Sequence, residues 1–439
     1  MKKKKAKLPP YLKIIFTFIV LVLIGSLLLW IPGVQKNRVD FIDCLYLSFS
    51  SATATGLSSI GNITEYFNIY GIIITLILAE IGMMGFITIA MFLFQLFGFK
   101  LGLQGNILIK ESLNSDSAKG LMSLLKIVIF YSLIIEIFFT GFYLLTFYPI
   151  YGNFTEALAV SAFESISVYT QLGYLICSPE VSASLTNNIL YNITTLLIML
   201  SSSFGFILIY NLFQKRKWSK LSLTSKITIY MTFIMIIVGT ALIWLGDFQH
   251  LSFMNALFIS TSARNFGVEF SNLNVTTLNT FNRIVILVLM FIGGSPVSAS
   301  GGVKVTTIFV VFVSLAKMAI GKEPVAFKRK IDDSTILKAF ALIAISLIFA
   351  VLILIIITFI ESSKGFSTEE IIFETISALS TTGFSLGITT SLSAASKIIF
   401  GFAMLIGRVG PLSILSIFNK NYLDNHNELS YVEEKVVIG

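Results

Sequence analysis

Residues 14 to 35, 181 to 214 and 339 to 360 each run without a single Asp, Glu, Lys or Arg. A helix needs roughly 20 predominantly apolar residues to cross a bilayer core, so each run predicts a membrane-spanning α-helix. The first exceeds the apolar core of a cleaved signal peptide, and no small-residue cleavage site follows Trp30-Ile31-Pro32, which predicts a retained helix. A second class of apolar stretch recurs between the spans, at residues 41 to 52, 154 to 168, 252 to 263 and 367 to 379. These are too short to cross and too apolar to lie in water, which predicts half-helices that enter the membrane and return. Non-helical backbone at that depth persists only where protein or a watery cavity satisfies it, and a pore is its natural setting.

A glycine follows each short stretch, and aligning on it reveals a fourfold repeat. The segments are Ser50-Ser51-Ala52-Thr53-Ala54-Thr55-Gly56-Leu57, Ser167-Val168-Tyr169-Thr170-Gln171-Leu172-Gly173-Tyr174, Thr261-Ser262-Ala263-Arg264-Asn265-Phe266-Gly267-Val268 and Ser377-Ala378-Leu379-Ser380-Thr381-Thr382-Gly383-Phe384. A hydroxyl residue stands six places before every glycine, and an apolar one directly after it. Glycine accepts backbone angles that a side chain forbids, so successive carbonyls can turn the same way. Four such strands around one axis can replace the water shell of a cation. A second irregularity, Gly293-Gly294-Ser295-Pro296-Val297-Ser298-Ala299-Ser300-Gly301-Gly302-Val303-Lys304, interrupts the apolar pattern after the third short stretch. Proline and repeated glycine break a helix, and a break inside the membrane requires a cavity beside it.

Composition narrows the class further. Hydrophobic residues make up 55% of the 439 and charged ones 12%, whereas a soluble protein carries roughly a quarter charged. The net charge of +8 reflects topology rather than a nucleic-acid partner, because Lys and Arg collect on the cytoplasmic side. Residues 1–13, 100–126, 215–226, 317–338 and 419–439 hold six, four, five, six and two of them, and the four intervening segments only two, none, two and two. Five inside and four outside segments require eight spans. The expected fold is therefore an all-α membrane protein of eight transmembrane helices, arranged as four helix, re-entrant helix, helix repeats around one pore. The repeats cover residues 14–99, 121–214, 227–318 with the interrupting loop 293–304, and 338–420. Residues 1–13 and 421–439 form cytoplasmic termini, and the chain is a multi-pass protein of the cell membrane in contact with lipid. The outer segments carry more acidic than basic residues, a sign that concentrates cations.

Little supports chemistry on a bound substrate. The only histidines, His250 and His426, have no partner nearby in sequence, and Cys44 and Cys177 read as free thiols. Lys304 and Arg408 stand inside apolar stretches, as do Glu80 and Glu136. Ionisable groups there mark a transport pathway or pair with one another. Two functional classes stay open on these residues: a channel-like cation path, and a carrier that couples cations through Glu80 and Glu136.

Several motifs resemble a known family. Phe41-Ile42-Asp43 leading into Ala54-Thr55-Gly56-Leu57, Ala256-Leu257-Phe258, the run Thr382-Gly383-Phe384-Ser385-Leu386-Gly387-Ile388-Thr389 and the ending Glu433-Glu434-Lys435 are similar to the Trk/Ktr/HKT superfamily of potassium transporters, and within it to Ktr membrane subunits of the KtrB type. The resemblance covers nearly the whole chain. It implies four M1-P-M2 units and a potassium selectivity filter of backbone carbonyls at Thr55, Gly56, Leu172, Gly173, Phe266, Gly267, Thr382 and Gly383. It also implies an intramembrane gate formed by Gly293, Gly294, Ser295, Pro296, Ser298, Gly301, Gly302 and Lys304, with Arg408 as a pore barrier. A structural pairing of Arg408 with Glu80, Glu136 or loop carbonyls is the alternative. Glycine at the first filter position goes with potassium in the family, and serine there with sodium in plant relatives. Departures are Val297 and Ser300 in place of gate glycines, Glu80 in place of glutamine, and the flanks Tyr169-Thr170-Gln171-Leu172 and Asn265-Phe266. The implied assembly is a homodimer above a separate cytoplasmic KtrA-type nucleotide-binding ring, docked on residues 100–126, 214–226, 317–338 and the C-terminal tail. This chain has no Gly-x-Gly-x-x-Gly fingerprint, so no cofactor is expected in it, and K⁺, with or without Na⁺, is the transported ion.

Overall fold

The computed structural model describes residues 10–83, 118–205, 208, 209, 212, 217–267, 270, 272–296 and 298–410. The two termini, the inner ends of the first and fourth repeats, most of the 100–126 segment, the motif Glu433-Glu434-Lys435 and Val297, one of the two departures noted in the 293–304 stretch, lie outside the described residues.

The helices fall into four groups, each a long helix, a short helix and a second helix. The first holds α1 (Pro10–Trp30), α2 (Phe41–Ala52), the single turn α3 (Ile63–Tyr66) and α4 (Ile69–Met83). The second holds α5 (Ala118–Tyr151), α6 (Phe154–Thr170), α7 (Pro179–Leu185) and α8 (Ile189–Ser203). The third holds α9 (Leu223–Gly246) and α10 (Phe253–Ser262), with a second helix split into α11 (Thr280–Phe291) and α12 (Val305–Ala319). The fourth holds α13 (Asp333–Ile360), α14 (Thr368–Ser380) and α15 (Ala394–Val409), and a two-stranded hairpin at residues 325–330 joins α12 to α13.

Local chemistry sets most of the starts. Asn153, Asn188, Ser222, Ser252, Asn279, Ser367 and Ser393 each accept a backbone N–H of the first turn at the head of a helix. At α14 the cap is reciprocal, because the Glu370 carboxylate also accepts the Ser367 amide at 2.7 Å. The charge-free run 181–214 is not one helix. Thr186 to Asn188 interrupt it, and α8 stops at Ser203 before Gly205 turns to φ +72°.

Residues 129–151 of α5, together with α9 and α13, are long and apolar enough to cross a membrane. Their outer faces expose Ile137, Leu145, Ile237, Leu245, Ile355 and Phe359, an apolar surface that only lipid or another apolar partner covers without cost. Inside, the groups close on one another in a ring. The second helix of each packs on the short helix of the next: α4 on α6, α8 on α10, α11 on α14, and α15 back on α2. The closing contact buries Phe49 and Tyr46 of α2 with Phe400 and Met404 of α15, Val22 of α1 and Ile357 of α13. An ion pair of 2.5 Å between Lys397 on α15 and Asp43 on α2 pins its outer end. On the inner side, Gly82 lies against the Ala52 carbonyl and Gly407 against the Leu379 carbonyl, each so close that a Cβ would overlap the oxygen. Small residues thus let the second helices of groups one and four reach the backbone of the short helices.

Candidate functional site

The short helices α2, α6, α10 and α14 all end three to five residues before their glycine, so their C-termini converge on the four glycine segments. The C-terminal end of a helix carries roughly half a negative charge, so four of them together favour a cation at the centre. Three segments leave the helix the same way. The amides of Thr55, Leu172 and Thr382 donate to the carbonyls of Ser50, Ser167 and Ser377 at 2.8, 2.8 and 3.1 Å. Ala54, Gln171 and Thr381 then take φ of +52°, +64° and +50°, and Gly56, Gly173 and Gly383 take +91°, +77° and +89°. Positive φ at these residues is the backbone freedom that a turn of successive carbonyls toward one side requires. The repeated hydroxyl supports two of the turns: Ser50 Oγ accepts from the Gly56 amide at 3.0 Å and Ser377 Oγ from Gly383 at 3.1 Å.

The third segment departs from the expectation drawn from the repeat. Gly267 has no positive φ, the Phe266 amide bonds the nearer Ser262 carbonyl at 2.9 Å, and Thr261 bonds back into its own helix. Glycine is required there by space instead, because a Cβ at 267 would collide with the Phe384 backbone. The same test closes the ring: a Cβ at 56 would overlap the Leu172 carbonyl, one at 173 would press on Phe266, and one at 383 would overlap the Thr55 carbonyl. Gly267 also donates its amide to the Thr382 carbonyl. All eight predicted filter residues therefore meet, although they are far apart in sequence. Above them opens a basin of about 370 Å³, lined by all four glycines and by Ser58, Tyr174, Cys177, Asn274, Ser385 and Thr389.

Beneath the ring lies the 293–304 segment, whose described residues are non-helical between α11 and α12. Ser300 Oγ donates to Asn265 Oδ1 of the third segment at 3.2 Å, and Gly301 lies against Ser380 and Thr381 of the fourth. Pro296 lies over Gly205, where α8 has ended, and Ser298 Oγ donates to the Ser295 carbonyl at 2.8 Å. Gly293 packs on Gly301 and Gly294 on Ser300, which doubles the segment back on itself. Lys304 caps its exit, with Nζ donating to the carbonyls of Ser300 and Gly301. Arg408 reaches the same place from α15. Its Nη2 and Nε donate to the Gly82 carbonyl at 2.6 and 3.2 Å, and its Nη1 to the Ala299 carbonyl of the loop. Its partners are thus backbone carbonyls, and Glu80 and Glu136 are not among them.

Four buried polar residues escaped the sequence reading. Arg264, counted above among the outer charges, is 2% exposed and donates to the Thr232 carbonyl of α9 at 3.2 Å. Glu164 and Glu374 were counted likewise, yet both lie inside short helices behind the ring. Tyr191 donates to Glu164 at 2.5 Å, and Ser385 (2.7 Å) and Thr389 donate to Glu374. Both stand nine residues before their glycine, a coincidence hidden because the alignment began at the hydroxyl six places before. Tyr174 ties the second strand to the first, donating to Ser50 Oγ at 3.0 Å and to the Leu57 carbonyl at 2.9 Å. Tyr174→Phe removes both bonds, a loss of about 1 to 2 kcal/mol. Thermal unfolding in detergent should begin a few degrees lower, and an unchanged melting temperature would deny Tyr174 its bracing part. Cys44 and Cys177 are both free, as expected, and both are buried.

Four glycine segments, three of them alike in backbone, meet beneath an open basin within a ring of apolar helices, the architecture of a multi-pass membrane protein. The chain belongs to the TrkH family of cation transport proteins, which it matches over residues 3–245 and 221–428. It is 28% identical over 433 residues to the Ktr system potassium uptake protein B of Bacillus subtilis, covering 96% of this chain and 95% of that one. It is 27% identical over 455 residues to the potassium/sodium uptake protein NtpJ of Enterococcus hirae, covering 100% and 99%. Its fold is that of the potassium transporter TrkH from Vibrio parahaemolyticus, with a TM-score of 0.74 at 17% identity over 96% of this chain and 87% of that one.

Proposed function

We propose that this chain is the ion-translocating membrane subunit of a potassium uptake system. The observation that carries this is the closure of four glycine segments into one ring under a single basin. The names of its relatives, potassium uptake protein B and NtpJ, support potassium as the ion. In this reading the eight spans form four M1-P-M2 units with the boundaries given above, inserted in the cell membrane with both termini cytoplasmic. K⁺ enters the basin and exchanges water for the carbonyls of Thr55, Gly56, Leu172, Gly173, Phe266, Gly267, Thr382 and Gly383. The 293–304 segment gates the path below, and Arg408 holds it shut. The chain performs no chemistry of its own. It works as a homodimer on a KtrA-type nucleotide-binding ring, a partner supported by the Ktr system names and by the basic inner segments.

A second reading, sodium passage through the same path, is favoured by one observation. The third segment breaks the fourfold pattern of carbonyls, which weakens discrimination by a uniform cage.

Expression in a bacterial strain stripped of its potassium uptake systems tests both, with and without a KtrA-type partner. Growth at limiting potassium is expected, increased by the partner. No growth from correctly inserted protein under either condition would overturn the potassium reading, and growth inhibited by equimolar sodium would favour the second.

A further inference from the structure

The short helix α14 braces the chain that returns past it. One of its faces carries Glu374 and, one turn on, Ser377, whose Oγ accepts the Gly383 amide at 3.1 Å. Two residues beyond that glycine, Ser385 Oγ donates to Glu374 Oε2 at 2.7 Å, and Thr389 Oγ1 donates to Oε1. Gly387, at φ +96°, turns the chain between them and gives its amide to Ser385 Oγ at 2.9 Å. Glu374 is fully buried, whereas Ser385 and Thr389 both line the basin above the ring. Two hydroxyl groups thus stand between a buried carboxylate and the basin.

The protons give these hydroxyls a direction. An ionised carboxylate only accepts hydrogen bonds, so each hydroxyl spends its single proton on Glu374. Towards anything else, both oxygens can then only accept. Yet they stand 2.9 Å apart, with no proton left to join them. A positive charge between their lone pairs stabilises such a pair. Ser58, on the same basin, also gives its proton away, to the Gly61 carbonyl at 2.8 Å.

The carboxylate also lacks a counter-charge. Among the described residues, none of the ion pairs includes Glu374, and a buried charge is costly unless compensated. Nor does the repeated fold require an acid there. Nine places before Gly56 and Gly267 stand Leu47 and Phe258, both buried in the same slot of their own short helices. Glu164 holds that slot in the second group, but its donor, Tyr191, is fully buried and not part of the basin wall.

We propose that Ser385 Oγ and Thr389 Oγ1 form an outer binding site for a monovalent cation in the basin, and that Glu374 is the positioning residue that orients both hydroxyls and compensates the ion's charge. A divalent ion such as Ca²⁺ takes carboxylate oxygens directly, and hydroxyls already occupy both of those on Glu374. The cation sheds part of its water here before it reaches the glycine ring, a role that rests on the potassium path proposed above.

Two measurements on the full-length protein test this. In crystals soaked with rubidium, anomalous scattering is expected to place an ion beside Ser385 and Thr389 in the wild type and not in Glu374→Gln, whose amide makes one of its two polar atoms a donor. Rubidium found in the wild type only at the glycine ring, or nowhere, would overturn the site, whatever the transport activity. In proteoliposomes, Glu374→Gln is expected to raise the KM for rubidium uptake about tenfold or more, the order that follows from removing a unit charge a few ångströms from the ion. The maximal rate should fall less than the KM rises, whereas loss of a merely structural brace would lower the rate and leave KM in place. An unchanged KM would overturn the role of Glu374. Should Glu374→Gln fail to fold, Ser385→Ala and Thr389→Val carry both measurements, and rubidium bound and taken up by both as by the wild type would overturn the site. The transport arm rests on the proposed potassium path; the scattering arm does not, so the two failures are told apart.

Discussion

Gly56→Ser is expected to lower rubidium uptake, or the preference for potassium over sodium, at least about tenfold. Two costs combine at this position. The backbone sits at φ +91°, where a side chain is strained by about 1 to 3 kcal/mol, and 1.4 kcal/mol is already a factor of ten. The added Cβ would also overlap the Leu172 carbonyl oxygen of the neighbouring segment. The ring cannot relieve that overlap locally, because each segment touches the next. Gly365→Ala separates the two costs. Gly365 has a similar φ of +71° but open space around its Cβ position, so it should lose a little stability and no selectivity. The measurement is uptake by vesicles against competing sodium. A Gly56→Ser protein that transports and selects like the wild type would remove the ring of glycines from the ion path.

Arg408→Gln is expected to raise basal uptake about tenfold or more and to reduce its dependence on a cytoplasmic partner. The guanidinium bridges the Gly82 carbonyl of α4 and the Ala299 carbonyl of the 293–304 segment. A hydrogen bond from a charged donor contributes about 1.5 to 3 kcal/mol, so losing the link to Ala299 shifts a closed segment toward open by roughly ten- to a hundredfold. Arg408→Lys distinguishes a latch from a simple electrostatic barrier. Lysine keeps the charge but not the planar fork that holds two carbonyls at once. If the latch matters, Lys should leak like Gln; if only the charge matters, Lys should behave like Arg. Uptake unchanged in both variants would leave Arg408 with a packing role alone.

The ends of the short helices were legible because the rules behind them are local. Apolar stretches too short to cross, Asn and Ser caps, and a glycine after each stretch are all properties of consecutive residues. The stretches 41–52 and 252–263 correspond within a residue to α2 and α10, and the break around Pro296 was visible as composition. Charge sorting was less secure, since a residue counted in a loop is assumed to face water. Arg264, Glu164 and Glu374 do not, because each finds its partner on another element or further along the chain: Thr232, Tyr191, and Ser385 with Thr389.

Periodicity, capping and glycine placement thus belong to the chain as written: a membrane protein of four like groups with four glycine segments. The closure of these groups into a ring does not. The second helix of each group meets the short helix of the next, far away along the chain, and only packing decides that order. Packing likewise gave Gly267 a steric reason in place of the conformational one expected, and tied Arg408 to backbone carbonyls. Local rules act between neighbours in sequence, whereas a site built from four segments depends on distances that no single segment contains.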